Sequence, residues 1–237
     1  MCDCDKAIVL NSGGCDSTTC VGLAVQRFGK ENVTTVSINY GQRHRKELDC
    51  ATQVAERYGL AHRELDFTGT HIMDGSDCPL LAENEDTIKH ESYADQIAED
   101  GTGMVPTYVP FRNGLFLSAV AGVAMAVYPK QRVHLYYGAH ADDAAGDAYA
   151  DCSPQFAEAI GNAINIGTYG LVTLEAPLIH LNKAGVVKLG LSLNVPYELT
   201  WSCYEGGEKQ CGTCGTCIDR KAAFAANGVV DPVPYEA

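Results

Sequence analysis

The sequence lacks an apolar run long enough to cross a membrane. Its longest such run, residues 115–128, is shorter than the roughly 20 residues that a spanning helix needs. The first residues, MCDCDKAIVLN, also lack the basic and apolar regions of a secretory signal peptide. Both absences argue against a membrane-bound or exported protein, and we expect a cytoplasmic chain.

Basic residues are scarce as well. The chain has 17 Lys and Arg against 30 Asp and Glu, a formal net charge of −13. An acidic surface repels nucleic-acid phosphates and anionic lipid headgroups, so we expect neither nucleic acid nor a membrane as partner. The length of 237 residues and the hydrophobic content of 46% suit one α/β domain with a modest appendage.

Apolar or β-branched segments alternate with segments of helical periodicity along most of the chain. This pattern predicts strands over residues 7–11, 33–40, 63–67, 132–138 and 171–176. It predicts helices over residues 16–28, 44–58, 113–127, 154–166 and 183–193. Residues 68–110 have no clear periodicity, and we expect a functional loop or lid there. The alternation favours a parallel sheet with helices on both faces, which binds ligands beyond the carboxyl ends of its strands.

Cysteine, in contrast, is abundant. Four of the 11 cysteines, Cys203, Cys211, Cys214 and Cys217, follow the pattern C-x7-C-x2-C-x2-C, with glycines between them that allow tight bends. In a reducing compartment such clustering indicates a metal rather than disulfides. Four thiolates without an open position are typical of structural zinc. An iron–sulfur cluster uses the same ligands and stays an alternative.

Residues 12–17, SGGCDS, follow the first predicted strand and open the first predicted helix. Glycines allow a tight turn, and the N-terminus of a helix offers free N–H groups to an anion. The loop is neither a Walker A motif nor a GxGxxG fingerprint. A glycine-rich turn capped by Ser or Asp is the alternative. The context favours phosphate binding, with hydroxyls from Ser12, Ser17 and Thr18, and with Asp16 on Mg²⁺.

The string SGGxDS resembles the PP-loop of the ATP pyrophosphatase superfamily, whose members attach AMP to a carboxylate or carbonyl oxygen and release pyrophosphate. Three further strings extend the likeness: YGQRH at 40–44, VPTYVPFRNGLFLS at 105–118 and WSCYEGGEKQCGTCGTC at 201–217. In this order, over nearly the whole chain, they resemble the 7-cyano-7-deazaguanine synthase (preQ0 synthase) family of queuosine biosynthesis.

The resemblance implies a Rossmann-like fold of the adenine nucleotide alpha hydrolase (HUP) type. It implies a PP-loop ATP-binding domain over residues 1–199 and a zinc-binding C-terminal segment over residues 200–237. The implied enzyme is a carbon–nitrogen ligase. It activates 7-carboxy-7-deazaguanine with ATP, forms an amide with ammonia, and dehydrates the amide to the nitrile after a second activation. ATP, Mg²⁺, one zinc ion per chain and a homodimer are expected with it.

The resemblance also assigns roles to residues. The expected ATP-binding residues are Asn11, Ser12, Gly13, Gly14, Asp16, Ser17 and Thr18, and the expected zinc ligands are the four cysteines. The expected catalytic residues are Asp16, Arg112 and Lys183. The expected contacts of the deazapurine acid are Tyr40, Gln42, Arg43, His44, Arg112, Asn113, Asp142, Asp143 and Asp147. A helix-capping or solvated role stays open for His44, and a solvated role for Lys183. The alternative for Arg112 is a surface position at a helix start. The alternative for Asp142, Asp143 and Asp147 is an acidic solvated loop.

Three features depart from that family. Phe111 stands where glycine is usual, Cys15 where glutamine or glycine is more common, and residues 138–152 form a longer and different segment. These departures do not change the expected use of ATP, but they leave open an acceptor of AMP other than 7-carboxy-7-deazaguanine. The alternatives are a PP-loop ligase with a different acceptor, a tRNA-thiolating or lysine-attaching enzyme, and a non-catalytic nucleotide sensor. The acidic charge opposes the tRNA enzyme, and the intact SGGxDS opposes the sensor.

Overall fold

The computed structural model describes residues 5–84, 87–100, 103–144 and 148–236. The strands are β1 (Lys6–Leu10), β2 (Val33–Asn39), β3 (Ala61–Asp66), β4 (Val133–Tyr136) and β5 (Val172–Glu175). The α-helices are α1 (Cys15–Phe28), α2 (Lys46–Tyr58), α3 (Tyr93–Asp100), α4 (Arg112–Val127), α5 (Pro154–Gly167), α6 (Lys183–Ser192) and α7 (Gly215–Ala226). No helix of these described ranges is long and apolar enough to span a bilayer.

The five strands form one parallel sheet in the order β3-β2-β1-β4-β5. Val9 of the central strand lies opposite Thr35 on one side and Tyr136 on the other. The chain runs outward from β1 to β3 and then crosses back to β4 on the other side of β1. The direction of winding therefore reverses between β1 and β4, and the crevice at their carboxyl ends is the expected ligand site of such a sheet.

Helices cover both faces of the sheet, as the alternating pattern predicts. On one face Ile8 belongs to a core cluster with Leu117 of α4. On the other face Val9 packs in a cluster with Val21 of α1 and Val186 of α6. Because both faces of β1 are buried, its sequence after Lys6 is continuously apolar rather than alternating. The predicted α/β fold with a four-cysteine C-terminal region is confirmed.

Two helices are not evident from the apolar pattern. The buried positions of α7 include Cys217, Arg220 and Phe224, so a cysteine and an arginine stand where apolar residues would mark a helix face. The segment over residues 68–110, expected as a loop or lid, contains α3 and core residues such as Leu80 and Val105. It is therefore partly built into the core and is not an open loop.

Arg220 fastens α7 to the segments around it. Its side chain is completely buried. Nε and Nη2 donate to both carboxylate oxygens of Asp231 at 2.7 and 2.9 Å, and Nη1 donates to the hydroxyl of Thr200 at 2.8 Å. Breaking a buried, hydrogen-bonded ion pair by removing one partner leaves the other charge without compensation.

We expect Arg220→Met to lower the free energy of unfolding by about 3–5 kcal/mol, because the buried Asp231 carboxylate then has no counter-charge. Urea denaturation measures the loss. The double variant Arg220→Met/Asp231→Leu should lose much less, since an apolar pair of similar volume leaves no buried charge. Lys188→Met, at an exposed position of α6, is the control and should change stability by no more than about 0.5 kcal/mol. Equal losses in the single and double variants would contradict a role for the ion pair.

Candidate active site

A deep cleft opens at the carboxyl edge of the sheet. Its floor consists of the turns that follow β1, β2 and β4, and it encloses about 1350 Å³ of space that is continuous with solvent. The start of α4 forms one wall, and residues 201–204 with the first turn of α7 form another. The cleft therefore lies at the switch point between β1 and β4, where the topology places a ligand.

The SGGCDS loop forms one end of the cleft. Gly13 has φ 80°, and a Cβ there would lie 2.1 Å from the carbonyl oxygen of Glu47, so only glycine fits. Gly13 N–H donates to Asn11 Oδ1 at 3.1 Å, and Ser12 N–H donates to Ser17 Oγ at 3.2 Å. Gly14 is the N-cap of α1 and offers no side chain to its first N–H groups. The turn is therefore held in shape, and its helix end favours an anion.

A cluster of charged groups lies beside this loop. Lys183 Nζ, at the start of α6, donates to Asp16 Oδ2 and Oδ1 at 2.6 and 2.8 Å. His140 Nε2 lies 3.2 Å from Lys183 Nζ and 3.3 Å from Asp143 Oδ1. Burial alone would raise the pKa of Asp16, but Lys183 and His140 outweigh it and the pKa is lowered. Burial would likewise lower the pKa of Lys183, but Asp16 and Asp143 outweigh it and the pKa is raised. Both groups of the pair therefore stay charged near neutral pH.

Arg112 lines a different part of the cleft, at the first position of α4. Its Nη1 donates to the hydroxyl of Tyr40 at 3.3 Å, and its guanidinium lies over the Tyr40 ring, 5.8 Å from the centroid. Burial would lower the pKa of Arg112, but Tyr40 and Glu47 raise it well above its usual range. The site thus has two cationic centres, one beside the SGGCDS loop and one at the wall formed by the start of α4.

The backbone at the start of α4 is held by neighbouring groups. Asn113 N–H donates to Asp151 Oδ2 at 3.1 Å, and its side-chain amide donates to Cys152 Sγ at 3.4 Å. Phe111 precedes the helix with φ 50°, a left-handed conformation that glycine adopts more easily. Its ring lies against Gly114, where a Cβ would be 2.4 Å from the ring. This packing of the Phe111 ring stabilises a bulky residue in a backbone conformation that favours glycine.

Aromatic side chains form much of the remaining wall. Tyr40 and Tyr137 follow β2 and β4, and Phe116 lies in α4. Tyr149 precedes α5, and Trp201 and Tyr204 follow α6. Several hydroxyls are linked, for example Thr107 Oγ1 to the Tyr149 hydroxyl at 2.6 Å. Flat faces with a few polar groups suit a planar heteroaromatic ligand.

The four cysteines converge on a single point. Their sulfur atoms all lie within 4.8 Å of one another, and Cys211 Sγ is 3.9 Å from Cys217 Sγ. Four Zn–S bonds of about 2.3 Å in a tetrahedron separate the sulfurs by about 3.8 Å. Backbone N–H groups of Glu205 and Cys211 donate to Cys203 Sγ at 3.4 and 3.3 Å, which stabilises thiolate charge. The donor set therefore fits a metal ion such as zinc.

This four-cysteine loop also shapes the cleft. Cys214 and Cys217 flank the start of α7, whose Thr216 and Asp219 line the cleft. Trp201 N–H donates to the carbonyl oxygen of Gly13 at 2.9 Å. The four-cysteine cluster and the SGGCDS loop are therefore connected through the backbone of residues 201–217.

The structure brings most of the predicted site residues together. Those that line the cleft are Asn11, Ser12, Gly14, Asp16, Ser17, Tyr40, Gln42, Arg112, Asn113, Asp143 and Lys183. Gly13 supports the turn from behind, and Thr18 is completely buried within α1. Asp147 lies outside the described residues.

Three other predicted residues lie just outside the lining. Arg43 N–H donates to the Leu80 carbonyl oxygen at 2.8 Å, and His44 Nε2 lies 3.1 Å from the carbonyl oxygen of Cys203. Asp142 Oδ2 accepts from the backbone N–H of Lys183 at 2.7 Å. In this structure each of them contacts the backbone of a neighbouring segment, and their contacts with a substrate stay a prediction.

Sequence reasoning did not single out Glu47, His140 or Asp219, which also line the cleft. His140 follows β4 directly, so the rule that ligands bind beyond strand ends offered a signal for it. Glu47 lies in the first turn of α2 and Asp219 in α7. Acidic residues at such positions are ordinary on a solvated helix, so no pattern in the sequence distinguishes these two.

Solved structures with the same fold belong to enzymes of several kinds. The NMN synthetase of Francisella tularensis superposes with a TM-score of 0.50 at 14% identity, over 95% of this chain and 78% of that one. The U34-tRNA thiolase NcsA of Methanococcus maripaludis, which carries a [4Fe-4S] cluster, superposes with a TM-score of 0.50 at 17% identity, over 95% and 68%. At these identities the likeness shows the fold alone.

The sequence itself is more specific. Residues 6–228 match the family described as queuosine biosynthesis protein QueC. A 7-cyano-7-deazaguanine synthase of Caldicellulosiruptor saccharolyticus is 40% identical over 231 residues, which covers 98% of this chain and 96% of the relative. The chain therefore belongs to the QueC family.

Proposed function

We infer that the chain is an ATP-dependent ligase of queuosine biosynthesis that makes 7-cyano-7-deazaguanine. The starting acid is 7-carboxy-7-deazaguanine and the nitrogen source is ammonia. Membership of the QueC family supports this function. The observation in the structure that carries it is the single cleft, which joins the SGGCDS loop to an aromatic-lined wall.

The phosphate loop is proposed to bind the triphosphate of ATP. The uncapped N-terminus of α1 and the hydroxyls of Ser12 and Ser17 face the same end of the cleft, and Lys183 adds a partly buried cation. Mg²⁺ usually binds through one or two carboxylates together with substrate phosphates, and therefore needs no preformed cage. Asp16 is the carboxylate placed to hold it, and when bound the ion screens the charge of the phosphates.

Activation transfers AMP to a carboxylate oxygen of the substrate and releases pyrophosphate. We assign the substrate carboxylate to Arg112, because a guanidinium can bind both oxygens at once. Lys183 is assigned to the charge of the departing pyrophosphate, and Asp143 and His140 hold its ammonium group in place. The two cationic centres then bind the two anionic reactants of the step.

The deazapurine ring is proposed to lie against the aromatic wall. Tyr40 and Phe116 pack with ring centroids 5.2 Å apart, and the side-chain amides of Gln42 and Asn113 are close enough to the cleft to read ring N–H and carbonyl groups. Three further proposed substrate contacts lie just outside the cleft lining in this structure, namely Arg43, His44 and Asp142. Asp147 is also a proposed contact, and it lies outside the described residues.

Zinc is the proposed metal of the four cysteines. Sulfurs within 4.8 Å of one another enclose one ion, whereas a four-iron cluster holds its cysteines farther apart. We propose a PP-loop domain over residues 1–199 with the zinc-binding segment 200–237 packed on it, and we propose a cytoplasmic homodimer. No nucleic acid is assigned as substrate, and the net charge of −13 supports small-molecule reactants.

The direct test is incubation of the purified protein with ATP, Mg²⁺, ammonia and 7-carboxy-7-deazaguanine. We expect the amide to appear first and the nitrile to replace it, with AMP and pyrophosphate released at each stage, as mass spectrometry would detect. Reactions without ATP or without ammonia are the controls. ATP consumption without either product would refute the proposed acceptor. Absorbance near 400 nm in anaerobically purified protein would instead favour an iron–sulfur enzyme.

A further inference from the structure

The proposed function requires a proton acceptor, because nitrogen enters as ammonia with three protons and leaves in a nitrile with none. In the first stage an N–C bond forms at the adenylated carbon, one N–H proton leaves, and the C–O bond to AMP breaks. In the second stage the amide oxygen takes AMP from ATP as pyrophosphate leaves. The two remaining N–H protons then leave, and the C–O bond breaks with its electron pair going to AMP. The inference that follows rests on that function.

We propose that the carboxylate of Glu47 accepts these protons in both stages. Glu47 lies in the first turn of α2 and lines the cleft. Its carbonyl oxygen lies against Gly13 of the phosphate loop, and its side chain interacts electrostatically with Arg112 at the other wall. Glu47 is therefore a carboxylate of the cleft lining that interacts with the group assigned to the substrate carboxylate, on a helix that packs against the loop assigned to phosphate.

The surroundings of Glu47 suit proton transfer. Burial raises the pKa of Glu47 to about 7, and Arg112 opposes that rise only in part. A base whose pKa is near the working pH can both accept a proton and release it to solvent. The titratable groups that interact with it are Arg112 from α4, Tyr40 from the turn after β2, and Cys50 from α2 itself. Among the residues that the structure describes, no side chain makes a hydrogen bond to the Glu47 carboxylate.

The other carboxylates of the cleft are committed elsewhere. Asp16 accepts two hydrogen bonds from Lys183, and Asp143 Oδ1 lies 3.3 Å from His140. Asp219 interacts electrostatically with the same Lys183 and His140. All three belong to the charged cluster beside the phosphates, so Glu47 is the acidic group of the lining that lies next to Arg112.

The test compares Glu47→Gln with Glu56→Gln, an exposed position on the same helix. Exchange of labelled pyrophosphate into ATP with the acid present requires adenylation but no loss of an N–H proton. We expect this exchange to stay within about 3-fold of wild type in Glu47→Gln. Formation of amide from the acid, and of nitrile from added amide, should each fall by about 10²–10⁴-fold, the usual effect of a general base. Glu56→Gln should match wild type in all three assays.

The pH dependence gives a second readout. At a fixed concentration of unprotonated ammonia, the wild-type rate of amide formation should fall as the pH drops below about 7, because the carboxylate becomes protonated, and Glu47→Gln should lack this decline. The free energy of unfolding of the wild type should instead decrease as the pH rises. The folded state holds the Glu47 proton more tightly than the unfolded state, so ionisation lowers stability as pH rises through about 7. Glu47→Gln should therefore melt at a higher temperature than wild type at pH 8, which also shows that it folds.

The possible outcomes separate the two claims. A wild type that makes neither amide nor nitrile overturns the proposed function and Glu47 with it. An active wild type with an unchanged Glu47→Gln overturns the proton acceptor alone. A parallel fall of pyrophosphate exchange and amide formation also overturns it, because the residue would then act only on binding or folding. Glu47→Asp, which keeps a carboxylate, should retain the acidic decline at a reduced rate, and loss of that decline counts against the proposal.

Discussion

Asp16→Ala is expected to lower turnover by about 10³-fold, the upper end of what removing one group from a preorganised electrostatic site costs. Asp16 holds Lys183 through two hydrogen bonds of 2.6 and 2.8 Å and is the proposed ligand of Mg²⁺. Without it the partly buried Lys183 ammonium loses the carboxylate that accepts its two hydrogen bonds, and its position depends on His140 and the more weakly held Asp143. Both the charge and the geometry that favour pyrophosphate departure are then lost.

Pyrophosphate release measures this effect, and circular dichroism checks that the variant folds. Asp49→Ala, at an exposed position of α2, is the matched control and should retain full activity. Lys183→Ala should cause a comparable loss. Because the two residues act as one unit, the double variant should be little worse than either single variant. Full activity in Asp16→Ala, or strictly additive losses in the double variant, would rule out the proposed pair.

The strand, glycine turn and helix around SGGCDS could be predicted from sequence because their determinants are local. Gly13, Gly14 and Ser17 lie within one turn, and the preceding strand and following helix are evident from adjacent residues. The Asp16–Lys183 pair spans 167 residues, and no periodicity relates its two members. Only the family resemblance indicated Lys183, and the reversal of winding between β1 and β4 explains why the two side chains meet.

Other parts of the site could not be predicted, because they depend on where whole elements come to lie. Glu47 is an ordinary acidic residue at a helix start until α2 is placed against Gly13. Arg220 reads as a solvated helix residue, yet it is completely buried because Asp231 returns to it from the chain beyond α7. Phe111 breaks a local rule, since its left-handed backbone favours glycine, and its packing against Gly114 and Phe156 appears only in the folded chain.

Cys214→Ser is expected to lose the metal and to destabilise the chain severely. In small zinc-binding peptides the apparent binding free energy is about 10–16 kcal/mol at pH 7, comparable to the whole stability of a typical domain, about 5–15 kcal/mol. Cys214 is the N-cap of α7 and one of four converging sulfurs. Its loss therefore releases the start of the helix as well as one ligand.

Activity should fall with the metal, although no cysteine of this cluster is assigned to the chemistry. Thr216 and Asp219 reach the cleft from α7, and Trp201 holds the carbonyl oxygen of Gly13 at 2.9 Å. Elemental analysis measures the loss of metal, and thermal melting measures the loss of stability. Cys50→Ser, outside the cluster, should retain the metal. Stoichiometric metal with unchanged melting in Cys214→Ser would exclude the site. Because the loop that binds the metal also forms a wall of the cleft, a strong chelator should inactivate the wild type at a rate that matches its loss of metal.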